Sequence, residues 1–219
     1  MADDAEQNAL IKEVDEDLRQ ERLEQFWKSY GKYVIGACVA VVVAVGGNQA
    51  WKSWQTEQTN RDSATFQSAL ESLSAGKAAE ATTILQDFSG EASAGYHDLG
   101  RLTAAAAQAR SGDVKSAIAS YDSLAADDSA DPSVRKLARL YAAMTAVGSE
   151  PHADVTARLE PLAGDPNWRF LAWEVEALSA QSGGDNAAAV TAYKRIADAG
   201  EAPANIRRRA TQMISVLGG

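Results

Sequence analysis

The sequence predicts an all-α chain in which a single N-terminal transmembrane helix is followed by a short α-solenoid. Three observations carry that class. Residues 33–51 form a run of 19 residues without a charge. Beyond it the chain is rich in Ala, Leu, Gln, Glu and Ser at helical spacing, with few strand signals. An apolar pattern then recurs at intervals of 34 to 38 residues, each copy introduced by a glycine, as stacked helical repeats require.

Residues 1–32 are an acidic tail, with nine acidic and five basic side chains. Leu10, Ile11, Val14 and Leu18 recur in it at helical spacing, which suits either a short amphipathic helix or a solvated acidic segment. Residues 33–51 come next, and their first 15 are unbrokenly apolar or Gly. At about 1.5 Å of rise per residue the run covers roughly 28 Å, close to the hydrocarbon thickness of about 30 Å. No polar stripe interrupts it, as one would in a helix lying on a soluble core. Trp27, Lys28, Tyr30 and Lys32 precede it and Trp51, Lys52 and Trp54 follow, the side chains that settle at headgroup level.

A cleaved signal would begin with a short basic region, so this long acidic leader points to an uncleaved anchor. Arg19, Arg22, Lys28 and Lys32 on one flank outnumber Lys52 and Arg61 on the other, which predicts a cytoplasmic N-terminus and places residues 52–219 across the membrane. Within the run, Gly36, Ala40 and Ala44 recur every four residues, a ridge of small side chains that permits close helix packing in lipid.

Residues 52–219 suffice for one domain with a sizeable core. They carry 21 acidic against 16 basic side chains, a net charge of −5, which argues against a nucleic-acid partner. Cys38, in the expected span, is the only cysteine, so this domain has neither thiol nor disulfide. Chemistry has little to work with. His97 and His152 lack the spacing of metal ligands, and no nucleophile elbow, phosphate loop or dinucleotide fingerprint is present. Asp127 and Asp128 sit in a Ser- and Ala-rich loop that suits solvation. Neither enzymatic activity nor a cofactor is expected.

The repeats supply the function class. Ala117, Ile118, Tyr121, Leu124 and Ala125 align with Ala189, Val190, Tyr193, Ile196 and Ala197, each set preceded by Gly-Asp. Looser copies are Ala81, Leu85 and Phe88 after Gly76, and Val155, Leu159, Leu162 and Ala163 after Gly148 with two extra residues. The first members, at 81, 117, 155 and 189, are 36, 38 and 34 residues apart. GDVKSAIASYDSLA and GDNAAAVTAYKRIA resemble the second helix of a tetratricopeptide repeat, and LAWEVEALSAQSGGD resembles a first helix through Trp173 and Ala177.

The resemblance implies four helix pairs and a final helix over 204–217, with a binding groove on the first helices. Groove positions would fall on Leu102, Ala106 and Ala109, on Leu140, Met144 and Val147, and on Leu171, Glu174 and Leu178. The same residues also suit plain inter-helix core. They are mostly apolar and lack the charged clamp that some such domains close on a terminal carboxylate, so an extended, partly unfolded segment is the expected ligand. Arg207, Arg208 and Arg209 form the one basic cluster, read as a charged cap surface or a partner contact.

A wider resemblance covers almost the whole chain. The acidic tail, FWKSYGKYVIGACVAVVVAVGGNQAWKSW, RDSATFQSALESLSAGKAAEA and the degenerate repeats, in that order, resemble the YfgM-like family of ancillary SecYEG translocon subunits. Its most specific part is the block 26–80. The resemblance implies a bacterial inner-membrane protein with a periplasmic repeat domain, whose partners are the SecYEG translocon, periplasmic chaperones or exported chains, and membrane lipid through one span. The expected function is a scaffold assisting chaperone hand-over or folding of exported proteins. The rival is a structural adaptor for envelope assembly, cell division or envelope stress signalling. Nothing in the sequence bears on oligomeric state.

Overall fold

A computed structural model describes the main chain of residues 2–219 and the side chains of 27–219 other than 29, 31, 34, 37, 38, 91 and 94. All regular structure among the described residues is helical: α1 (Ala2–Ser74), α2 (Ala78–Glu91), α3 (Ala94–Arg110), α4 (Val114–Ala126), α5 (Pro132–Ala146), α6 (His152–Ala163), α7 (Arg169–Ser182), α8 (Asn186–Ala197) and α9 (Ala204–Val216). The chain divides into two compact units, Met1–Glu57 and Gln58–Gly219.

In the first unit Tyr33, Ile35, Val39, Val41, Val42, Val43 and Val45 are all exposed, by 55% at Ile35 to 69% at Val42. Open apolar surface of this density marks an interaction or membrane site. Trp51 and Trp54 lie beyond it with ring centroids 5.4 Å apart, and Lys32 Nζ stands 5.1 Å from the centroid of Tyr33. Gly36, Ala40 and Ala44 are exposed, and nothing lies within 4 Å of where a Cβ on Gly36 would stand. Among the described residues no helix is long and apolar enough to cross a membrane. Positions 34, 37 and 38 of the expected span, Cys38 among them, lie outside the described side chains, as does the stripe of Leu10, Ile11, Val14 and Leu18. The single span over 33–51 is thus not a feature that the described residues show.

The second unit comprises four helix pairs and a closing helix. The pairs are the last part of α1 with α2, then α3 with α4, α5 with α6, and α7 with α8. Each turn within a pair holds a glycine in the left-handed region, at Gly76, Gly112, Gly148 and Gly184, 36 residues apart throughout. At three of them the residue after the glycine donates its N–H to a carbonyl five residues back: Lys77 to Ser72 at 2.9 Å, Asp113 to Gln108 at 3.0 Å and Asp185 to Ala180 at 3.0 Å. That closure satisfies an orphan carbonyl of the ending helix, and only glycine adopts the conformation without a steric cost. The Gly148 turn is longer: Ser149 and Glu150 both donate to Ala146, and Pro151 opens α6. This is where the two extra residues go, and why the anchor intervals read 38 and then 34.

Aspartates start the next helices. Asp113, Asp131 and Asp185 each accept an N–H from the first turn that follows, and Pro132 stands after Asp131, where its missing N–H costs nothing. The anchors Ala81, Ala117, Val155 and Ala189 are fully buried. Four residues on come Leu85, Tyr121, Leu159 and Tyr193, and three further Phe88, Leu124, Leu162 and Ile196, all buried. Small residues admit the partner helix and large ones fill the space between neighbours.

Two buried carboxylates tie successive units together. Asp62 Oδ2 accepts the N–H of Ser93 at 3.0 Å, and Asp98 Oδ2 accepts that of Asp131 at 2.8 Å. They stand 36 residues apart on successive first helices, each holding the residue that starts the next first helix. The final helix, α9, buries Ile206 and Ala210 and turns Arg208, Thr211, Gln212 and Ser215 to solvent, the polar outer face that ends a repeat stack.

Leu124→Ala is expected to lower the unfolding free energy of the repeat unit by about 2–5 kcal/mol. Gly112→Ala should cost about 1–2 kcal/mol, because an L side chain must then adopt the left-handed conformation. Urea titrations followed by circular dichroism measure both.

Candidate functional site

Among the described residues of the repeat unit, the exposed large apolar side chains other than Val216 stand in a row on the first helices. Leu70, Ala106 and Leu178 each stand six residues before the left-handed glycine of their unit, at 76, 112 and 184, and so share one position of the repeat, which buried Ala142 fills in the third unit; Met144 lies two residues beyond it. Leu70, Met144 and Leu178 are 42%, 48% and 40% exposed, and Ala106 is half-buried. Leu99 and Tyr141 are exposed on the same set of helices. Among the described residues, α2, α4, α6 and α8 expose no large apolar side chain. Open apolar surface is therefore confined to the first helices and the tip of α9.

Between α5 and α7 the row deepens into a cavity of about 410 Å³ lined by Met144, Val147, Val175, Leu178, Gln181 and Ser182. Four of the six are apolar and none is charged. Charges nearby are engaged within the fold. Lys136 Nζ donates to Asp165 at 2.6 Å, Arg195 binds Glu176 and also covers the Trp173 ring, and Arg209 donates two bonds of 2.7 Å to Glu174. A smaller hollow of about 300 Å³, bounded by Ser89, Arg101, Gln108, Ser120 and Ser123 among others, is polar.

The residues expected to line a groove thus divide. Met144, Val147 and Leu178 wall the cavity, and Ala106 stands at the repeat position of Leu178. Leu102 and Leu140 are buried, at 7% and 4% exposure, among the core residues of their own and adjacent pairs. Leu171 is half-buried and packs against two core clusters, and Ala109 is half-buried. Glu174 is held by Arg209, whose guanidinium these bonds push above its usual pKa. The basic cluster is split three ways: Arg207 donates to the Gly200 carbonyl at 2.9 Å, Arg209 clamps α7, and Arg208 is exposed.

The histidines have structural partners. His97 Nδ1 lies 3.0 Å from Asp98 and His152 Nδ1 3.0 Å from Ser179. Among the described residues no group of three His, Cys, Asp or Glu side chains could hold a metal ion.

Residues 24–214 match the tetratricopeptide repeat-like domain, from before the apolar band to the last turns of α9. The chain belongs to that family. Comparison with curated proteins and with solved structures returned no match. Tetratricopeptide repeat-like domains mediate protein–protein interaction, so the partners of this chain are proteins. Two features of the repeats escaped sequence reasoning, the buried Asp62 and Asp98 and the buried side-chain oxygen of Gln181, which has no donor among the described protein atoms. The first pair left a signal, the same residue type 36 positions apart, whereas Gln181 has no counterpart and left none.

Several loop carboxylates are held below the usual range. Hydrogen bonds from Ser129 and then Arg101 hold Asp127 down, main-chain N–H groups of Ser133 and Val134 hold Asp131 down, and Lys136 with the Asn167 N–H does so for Asp165. Carboxylates with depressed folded pKa values stabilise the fold above the unfolded pKa of about 4, and that contribution is lost as pH falls toward the folded values. The thermal midpoint of the repeat unit should therefore drop on acidification from about pH 5 to pH 2. Asp127→Asn should melt lower than the wild type at neutral pH, fall less steeply and converge with it at the acid end. Melting curves across that range test this.

Proposed function

We propose that this tetratricopeptide repeat-like protein is a membrane-anchored scaffold that captures apolar, incompletely folded protein segments along its first helices. The exposed apolar side chains of Leu70, Leu99, Tyr141, Met144 and Leu178, all on first helices, are the observation that carries the reading. These side chains leave apolar surface open along the first helices. Its apolar, uncharged character fits segments recognised by burial and not by salt bridges.

The exposed apolar band from Tyr33 to Val45, flanked by Trp, Tyr and Lys, supports anchoring in a bilayer. With the resemblance of block 26–80 to ancillary SecYEG subunits, it supports an inner-membrane location beside the export channel, the repeats in the periplasm. Anchoring there raises the local concentration of the groove around emerging chains, so modest intrinsic affinity suffices.

A photo-crosslinking side chain at Leu178 is expected to label many different exported chains during translocation, and one at Arg208 few. A single folded partner labelled from Arg208, with nothing from Leu178, would favour a dedicated structural adaptor. Separately, Gly36→Leu with Ala40→Leu should leave the chain in the membrane fraction, with residues before Lys32 protected from external protease in spheroplasts. Recovery of translocon subunits should fall several-fold, because bulky side chains obstruct close helix approach; undiminished recovery sinks that role for the ridge.

A further inference from the structure

The polar hollow of about 300 Å³ lies on the side of α3 away from the exposed apolar row. Arg101 and Gln108, seven residues apart, share one face of α3, and Leu99 and Ala106 stand nearly opposite them. Ser89 of α2 bounds the hollow on one side, and Ser120 and Ser123 of α4 on the other. It is therefore a place apart from the groove, between two second helices.

Its lining is suited to donate hydrogen bonds. Arg101 is the one charged side chain in it, and Gln108 is 8% exposed. Ser120 Oγ donates to Gln108 Oε1 at 2.8 Å, which leaves the carboxamide N–H groups unspent. Arg101 Nη1 donates to Asp127 at 2.5 Å, and the other N–H groups of its fork have no acceptor among the described residues. The side-chain nitrogens and oxygens sealed from solvent without a partner among the described residues are Arg169 Nε and Gln181 Oε1, so the spare donors of Arg101 and Gln108 are reachable from outside. Ser123, which is exposed, adds a hydroxyl. In the last unit the positions counted back alike from the turn glycine hold Trp173 and Ala180, so helix packing calls for neither the guanidinium nor the amide.

No carboxylate lines the hollow to complete this set. A guanidinium fork beside an amide N–H and a hydroxyl matches a carboxylate, whose two oxygens accept several bonds at once. Charge-assisted bonds are roughly twice as strong as neutral ones, so the fork favours a carboxylate over a neutral carbonyl. Asp127 does not exhaust Arg101, since Arg158 of the same fold binds Asp122 and Glu150 together. The negative charge of the domain is largely screened beyond about 8 Å at physiological ionic strength, so contact geometry decides.

We propose that the hollow between α2 and α4 is a second protein-contact site, which takes one glutamate or aspartate side chain of a partner protein, its carboxylate bound by Arg101, Gln108 and Ser123. It uses no residue of the apolar row, so the two can be tested apart.

Saturation-transfer NMR on the full-length chain in a lipid nanodisc reads weak peptide binding. The probe is an end-capped pentapeptide of alanine and serine with one central glutamate, alongside the same peptide with glutamine there. The glutamate peptide should bind about tenfold more tightly. Gln108→Glu keeps the side-chain shape and the bond from Ser120 but sets a carboxylate beside Arg101, and should cut binding of the glutamate peptide about tenfold or more. Ser123→Asp, at an exposed helix position, should weaken it severalfold through like charge, so the test stands even where Gln108→Glu impairs folding. Equal binding of the two peptides, no binding of either, or glutamate binding untouched by both substitutions would overturn the inference. Free glutarate binding as tightly as the peptide would make the ligand a soluble dicarboxylate and overturn its assignment to a protein partner. None of these outcomes bears on the apolar row, which crosslinking from Leu178 tests separately.

Discussion

Two helices of a pair bury their apolar stripes only where their backbones approach closely, and here one buried position per unit sets that approach. Ala81, Ala117 and Ala189 occupy it with a single methyl, and Val155 fills it in the unit whose turn is two residues longer. From this contact the large residues four and seven positions on are directed into the space between neighbours. The left-handed glycine turns hold the two helices of each pair in register. With the register set, the residue six positions before each turn glycine is placed alike in every unit, and there stand Leu70, Ala106, Ala142 and Leu178, with Met144 two positions beyond.

Charge is spent on assembly and withheld from the groove. Arg158 reaches Asp122, 36 residues back on the preceding second helix, and also binds Glu150. Arg101 meets Asp127 at 2.5 Å, Lys136 meets Asp165, and Arg209 fastens α9 to α7 through Glu174. Solvent-screened pairs of this kind add little to stability one by one. Their effect is mainly positional, since they tie residues distant in sequence across units. The buried Asp62 and Asp98 act more strongly, because each satisfies a main-chain N–H at the start of the next first helix. Among the described residues, the first helices keep exposed apolar surface, and the buried oxygen of Gln181 has no donor.

Much of this was legible in the residues. The Gly-Asp pairs at 112 and 184 and the Ala-x3-Tyr spacing disclosed two units outright, and the looser copies after Gly76 and Gly148 proved to be helices α2 and α6. Helical periodicity survives in sequence because the same face must be apolar on every turn. The groove was legible only in part. Leu102 and Leu140 have the composition of groove residues but are core, while Met144 and Leu178, four residues further on than Leu140 and Glu174, are open. Four residues along a helix keep nearly the same face. Which of two apolar residues on it is covered, as with Leu140 and Met144, depends on where the neighbouring first helix crosses.

The sequence by itself determined the all-helical class, the number of helix pairs, the turns between them and the buried face of each second helix, since all of these follow from local periodicity and from what glycine, proline and aspartate do to the backbone. It also determined that an uncharged apolar run lies near the N-terminus. Only the tertiary structure decided which apolar residues of the first helices stay open, that Glu174 and Arg209 neutralise one another, and that Gln181 is buried without a donor. These depend on contacts between residues some 30 or more positions apart, or on their absence, and a distance in space leaves no period in the chain.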